Sequence, residues 1–212
     1  MEAKQIEIKA LLISLIAIFS IEVALRLIFI GGFGHPSLIL GGARLLEAAL
    51  IITSVMMWGN GVTSLGLARS GIVVGVKRGL LWSAGFGGVV LLSFIVLFLV
   101  GIDPLNIMEV RLPATQWGIA LFFILRGLIG PVAEEIFFRG MLYGFFRRWG
   151  IVVALLISTA TFVLAHFPTI SLPQLVGGIL FAVAYEVEGT LLAPITIHIL
   201  GNLAIFTLSM MP

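Results

Sequence analysis

Cysteine is absent from the 212 residues, and aspartate occurs once, at Asp103. The first absence excludes disulfides, thiolate nucleophiles and cysteine-ligated metals. The second excludes a catalytic pair of aspartates sharing a proton. Neither a Gly-x-Ser-x-Gly run nor a His-Glu-x-x-His run occurs, so the serine elbow and the helical two-histidine zinc motif are also missing. Charge is scarce: 10% of residues are Asp, Glu, Lys or Arg, against about a quarter in an average soluble domain. A formal net charge of +2, with no clustered basic patch, leaves nothing to hold a polyanion, so no nucleic-acid partner is expected.

What fills the chain instead is apolar. Hydrophobic residues make up 60% of it and mean hydropathy is +1.23, the balance of a polytopic membrane protein. A bilayer core about 30 Å thick needs about 20 apolar residues per helix. That measure predicts an all-α, polytopic membrane helix bundle of seven or eight transmembrane helices, with spans near 9–31, 38–58, 79–101, 116–146, 150–166, 172–187 and 190–211. The stretch 61–77, with Arg69 and Lys77, reads as a connector or surface helix. The apolar run from Ala10 to Ile30 exceeds the roughly 7–15 residues of a cleavable signal's apolar core, so it is expected to be a retained span. The fourth span is too long for one straight crossing, and Gly130-Pro131 is the expected kink. Lys4 and Lys9, then Arg69, Lys77 and Arg78, then Arg147 and Arg148 fall on one side of the membrane, which the positive-inside rule makes cytoplasmic. The localisation expected is therefore multi-pass in the cell membrane. Residues 1–212 form one integral membrane domain, with 1–115 as generic spans and 116–212 bearing the motifs.

Against that background, Glu134, Glu135 and Arg139 stand out. They lie between Leu121-Phe122-Phe123-Ile124-Leu125 and Ile136-Phe137-Phe138, where each charge costs roughly 2.5–3.5 kcal/mol on insertion scales. Charges survive there when they face a protein interior or a wet cavity, which makes the cluster a functional-site hypothesis. Glu135 and Arg139 are spaced i, i+4 and share a helix face, so they can form an ion pair. Glu134 lies about 100° around the helix and is left as the freer carboxylate. His166 follows near the end of the fifth span, and His198 with Asn202, again i, i+4, in the last. A carboxylate, two imidazoles and a carboxamide on buried helices make a hydrolytic set. The carboxylate takes a proton from water, one imidazole helps orient it, and the remaining donors stabilise an oxyanion. Elsewhere, Glu22 and Arg26 are i, i+4 and are expected to neutralise each other.

Glu134-Glu135-x-x-x-Arg139, Phe162-x-x-x-His166 and His198-x-x-x-Asn202, in this order, resemble the CPBP (Abi) family of intramembrane proteases. That family includes the type II CAAX prenyl endopeptidases and bacteriocin-processing or immunity proteins. The similarity runs from about Arg126 to Phe206 and includes Pro194. The resemblance implies that Glu134 activates the attacking water with His166 sharing that role, and that His198 and Asn202 form the oxyanion pair. Glu135 and Arg139 would hold Glu134 in place, and Phe162 would pack near the site. It implies a peptide or protein substrate, prenylated or membrane-bound, met within the lipid bilayer. The family has been described both as metal-dependent and as glutamate-dependent. No cofactor is expected here, because Asn202 is a poor zinc ligand and the set offers two histidines; a zinc form would use Glu134, His166 and His198. Two other classes compete. A proton-linked transporter also uses membrane carboxylates and histidines, and a non-catalytic immunity or peptide-binding protein would use the same cavity.

Overall fold

The computed structural model describes residues 6–32, 34–105, 110–167 and 171–210; Lys4 lies outside them. Among the described residues the regular structure is entirely helical. Helices α1 (Ile8–Ile30) and α2 (Pro36–Trp58) precede two short 3₁₀ turns, Val62–Leu65 and Arg69–Gly71. Helix α3 (Ile72–Leu99) follows, then a composite helix α4 over 116–146, α5 (Ile151–Ala165), α6 (Leu172–Glu188) and α7 (Leu192–Leu208). Each expected span meets a helix, but α3 begins at Ile72, so residues 72–77, expected in the connector, continue the long apolar helix instead. Three stretches, Ile8–Ile30, Pro36–Trp58 and Val62–Leu99, are long and apolar enough to cross a membrane, while α5 and α7 are apolar but shorter. With α5 at 15 residues, its length of about 22 Å falls short of a perpendicular crossing.

Helix α4 stays helically wound through the expected kink site at Gly130-Pro131. Backbone angles stay helical through Ile129 and Gly130, and α-helical Gly130–Glu135 is flanked by π-helical Phe123–Ile129 and Ile136–Tyr143. Gly130 N–H donates to Leu125 O, and Gly144 N–H to Arg139 O, both five-residue steps. Proline offers no amide proton, so the chain accommodates Pro131 by widening the helix on either side rather than by breaking it.

Small residues set the helix crossings, as expected where lipid supplies no hydrophobic drive between helices. Ser14 of α1 bonds Ser54 of α2 at 2.6 Å. Gly41 of α2 faces Leu125 of α4, Gly178 of α6 faces Thr159 and Phe162 of α5, and Gly75 and Gly79 of α3 face Thr190, Leu192 and Thr196. A Cβ at Gly79 would stand 2.5 Å from Thr196 Cβ and 2.8 Å from Ala193 O. Gly79→Val is therefore expected to part α3 from α7 and cost about 1–3 kcal/mol, measured as a lowered melting temperature in detergent.

The core centres on α4, where Met141, Tyr143 and Arg139 are fully enclosed, whereas α3 exposes Phe98, Leu99 and Leu92 as a lipid-facing surface. One end of the bundle gathers the charged residues. Arg147 donates twice to Glu186, each bond 2.9 Å, and that carboxylate raises the guanidinium above its ordinary value. Tyr143 Oη donates to the same carboxylate, Trp82 Nε1 donates to Glu188 at 2.8 Å, and Lys9 stands over the Trp58 ring.

Candidate active site

The site is assembled from α4, α5, α6 and α7. Glu135 and Arg139 have no exposed side-chain surface and pair at 2.8 Å, an i, i+4 contact that survives the change to π-helical winding. Arg139 Nη2 donates to Gly178 O at 2.9 Å, where Thr159 Oγ1 also donates. The guanidinium lies over the rings of Phe162, Phe181 and Phe138, at 4.6, 5.2 and 5.9 Å. A charge this deep is tolerated because its carboxylate partner, a carbonyl and aromatic faces replace water.

His198 bridges the two carboxylates. Its Nδ1 lies 2.9 Å from Glu135 Oε1 and its Nε2 3.7 Å from Glu134 Oε2. The Glu135 oxygen that takes the Arg139 N–H acts as acceptor to His198 as well, which places the imidazole proton at Nδ1. Nε2 is then the atom turned toward Glu134. The separation is too long for a direct hydrogen bond but lets one water lie within reach of both atoms. Glu134 keeps 24% of its side-chain surface while His198 keeps 6%, so the carboxylate sits at the mouth and the imidazole behind it.

Phe162 joins the histidines: its ring centroid is 4.7 Å from His166 and 5.9 Å from His198. His166 Nδ1 bonds Phe162 O at 2.8 Å. Asn202 Nδ2 donates to Arg126 O at 3.0 Å, and its second amide proton stays available. Glu134, Glu135, Arg139, Phe162, His166 and His198 are thus one connected group, and Asn202 stands one turn beyond His198 on α7.

Two features escape the sequence reading. Glu135 does more than hold Glu134, because its carboxylate is the acceptor that orients His198. Phe181 stacks on His198 at 4.4 Å with an interplanar angle of 21° and also lies 5.2 Å from the Arg139 guanidinium, so one ring packs against both partners of Glu135. The i, i+3 spacing of Gly178 and Phe181 on α6 carries that signal, since it places the arginine's acceptor and the ring on one face.

A structural or catalytic zinc draws at least three protein ligands. Among the described residues no three His, Cys, Asp or Glu side chains are grouped to hold a metal ion. Glu134 Oε2 and His198 Nε2 supply two donors side by side, one fewer than zinc draws. The donor set therefore does not fit zinc.

Residues 116–204 match a family model described as type II CAAX prenyl endopeptidase Rce1-like. The membrane-embedded CAAX protease MroQ of Staphylococcus aureus (strain USA300) is 33% identical over 92 residues, covering 40% of this chain and 37% of that protein. The chain thus spans little more than a third of this relative's length. No solved structure matches the chain.

Proposed function

We propose, from the match of residues 116–204 to the family model described as type II CAAX prenyl endopeptidase Rce1-like, that this integral membrane protein is an endopeptidase that hydrolyses a peptide bond inside the bilayer. The observation that carries the reading is the placement of His198 between Glu134 and the buried Glu135 that pairs with Arg139.

In this reading Glu134 accepts a proton from water lying against His198 Nε2, and the resulting hydroxide adds to the scissile carbonyl. The free amide proton of Asn202 and the His198 ring stabilise the oxyanion. His166, half-buried beside Phe162, shares in holding the water. The proton taken up by Glu134 passes to the amine nitrogen, the C–N bond breaks, and a carboxylate and an amine leave. Arg139 and Glu135 hold His198 and take no proton.

Water enters in this reading from the end where Arg78, Arg147 and Arg148 lie, which the positive-inside rule makes cytoplasmic in the cell membrane. Leu191 N–H donates to Gly66 O at that end, and His198, seven residues along α7, is about 10 Å inside it. The substrate is a peptide segment that reaches this depth, as a prenylated C-terminus or a membrane-bound leader would.

The test is cleavage by purified protein in liposomes, using a farnesylated CAAX-box peptide and a non-prenylated leader peptide as probes. Cleavage of either is expected to persist after exhaustive treatment with a zinc chelator, at rates within about twofold of untreated protein, because the barrier is lowered by Glu134 and its neighbours. Loss on chelation with recovery on added zinc would replace the glutamate-dependent reading with a metal-dependent one.

A further inference from the structure

A second charged cluster lies in the half of the chain that the family match does not reach. Arg44 Nη1 on α2 bridges Glu22 Oε1 of α1 at 2.8 Å and Glu47 Oε2 at 2.5 Å. Glu22 thus pairs with Arg44 rather than with Arg26, which shares its own helix. The three side chains are graded in burial: Glu22 keeps 40% of its surface, Arg44 27% and Glu47 6%. The deepest member is also the least satisfied, since Glu47 Oε1 is buried without a hydrogen-bond partner.

Helix register shows where Glu47 points. Gly41 of α2 packs on Leu125, and Leu65, just beyond the end of α2, packs on Gly140. Helices α2 and α4 therefore run parallel. Glu47, six residues beyond Gly41, is about 9 Å further along α2, and the same rise along α4 from Leu125 reaches the Gly130–Glu135 segment that carries Glu134. Glu47 accordingly stands at the level of Glu134 along the interface between α2 and α4. Arg139 is occupied by Glu135, and Arg44 by Glu22 and Glu47.

We propose that Glu47 is a positioning residue of the hydrolytic centre: held by Arg44, it sets the charge that faces Glu134 and keeps Arg44 from neutralising that base. The inference rests on the peptidase reading given above. With Glu47 in place, Glu134 faces a cluster of one cation and two anions. Without it, the balance turns toward Arg44, and Glu134 gains a cation that weakens it as a proton acceptor.

Four purified proteins in liposomes test this: wild type, Glu47→Gln, Glu47→Asp and Arg44→Met/Glu47→Gln. Glu47→Gln is expected to lower kcat by about 10–100-fold with KM changed less than about twofold, the pattern of a lost transition-state effect. Arg44→Met/Glu47→Gln removes the cation as well and is expected to recover to within about threefold of wild type, and Glu47→Asp to stay within about fivefold, because the two charges act as a coupled pair. A merely structural Glu47 would leave the double variant at or below Glu47→Gln. These two variants keep the test open should Glu47→Gln fail to fold, as judged by its melting curve.

A readout independent of cleavage is labelling of Glu134 by a hydrophobic carbodiimide, mapped by mass spectrometry, since the reagent attacks membrane carboxyls not held in ion pairs. Labelling is expected to fall in Glu47→Gln and return in the double variant. Unchanged labelling across all four, or a double variant no more active than Glu47→Gln, overturns the inference. The expected labelling pattern in a wild type that cleaves nothing would support Glu47 as a neighbour of Glu134 and instead overturn the peptidase reading.

Discussion

Glu134→Gln is expected to lower peptide cleavage by about 10²–10⁴-fold, the usual worth of a positioned general base, with no change in melting temperature. Glutamine keeps the shape of the side chain and removes only its capacity to accept a proton. Because Glu134 is the partly exposed carboxylate at the mouth of the site, the substitution leaves no buried charge without a partner. His166→Ala and His198→Ala are also expected to abolish measurable turnover. The two differ in cause. In the proposed mechanism the first removes a partner of the attacking water, and the second removes the ring held between the two carboxylates.

Arg139→Met is expected to be the most destabilising single change in the site. It would strip the cation from Glu135, whose side chain has no exposed surface, and remove the donor that Gly178 O shares with Thr159. Breaking a buried ion pair from one side costs about 3–5 kcal/mol, which for a chain of this size lowers the melting temperature by about 10 °C. Glu135→Gln/Arg139→Met removes both charges and should regain at least half of that loss, since no uncompensated ion remains. Cleavage should stay low in the double variant, because the carboxylate that fixes the His198 proton at Nδ1 is gone. Recovered stability with recovered cleavage would show that Glu135 is only a structural partner for Arg139.

The sequence makes the helices legible because lipid imposes one strong rule: backbone groups must be satisfied within the segment, over enough apolar residues to cross. The Glu135–Arg139 pair was legible for a local reason, the i, i+4 spacing that puts both on one face. What was not legible depends on contacts between distant segments. Glu135 Oε1 meets His198 Nδ1 across 63 residues, and no spacing rule reports which carboxylate an imidazole will choose. The π-helical turns on either side of Pro131 shift the azimuth of every side chain beyond them, so a uniform 100° step misplaces the far face. The same limit explains Glu22, for which an i, i+4 partner at Arg26 was the natural reading; the close packing of α1 on α2, seen in the Ser14–Ser54 bond, brings Arg44 nearer. The Phe181 stack on His198 belongs to this class too, since one residue is on α6 and the other on α7.

The groove of about 470 Å³ lined by Arg78, Trp82, Phe86, Leu180 and Glu188 lies between α3 and α6 and does not include Glu134 or either site histidine. Leu180 faces that groove while Phe181, its neighbour on α6, faces His198. One helix therefore separates the lipid-facing cleft from the reacting groups, and the residues on its two sides can be altered independently.

Terminal proteomics of membrane fractions is the most direct check on a hydrolytic centre built from Glu134, His198 and Glu135. Cells making the intact protein would be compared with cells making Glu134→Gln at the same level. At least one membrane-protein or peptide terminus is expected to appear with the intact protein and to vanish with the variant. Identical sets of termini in the two would contradict the account.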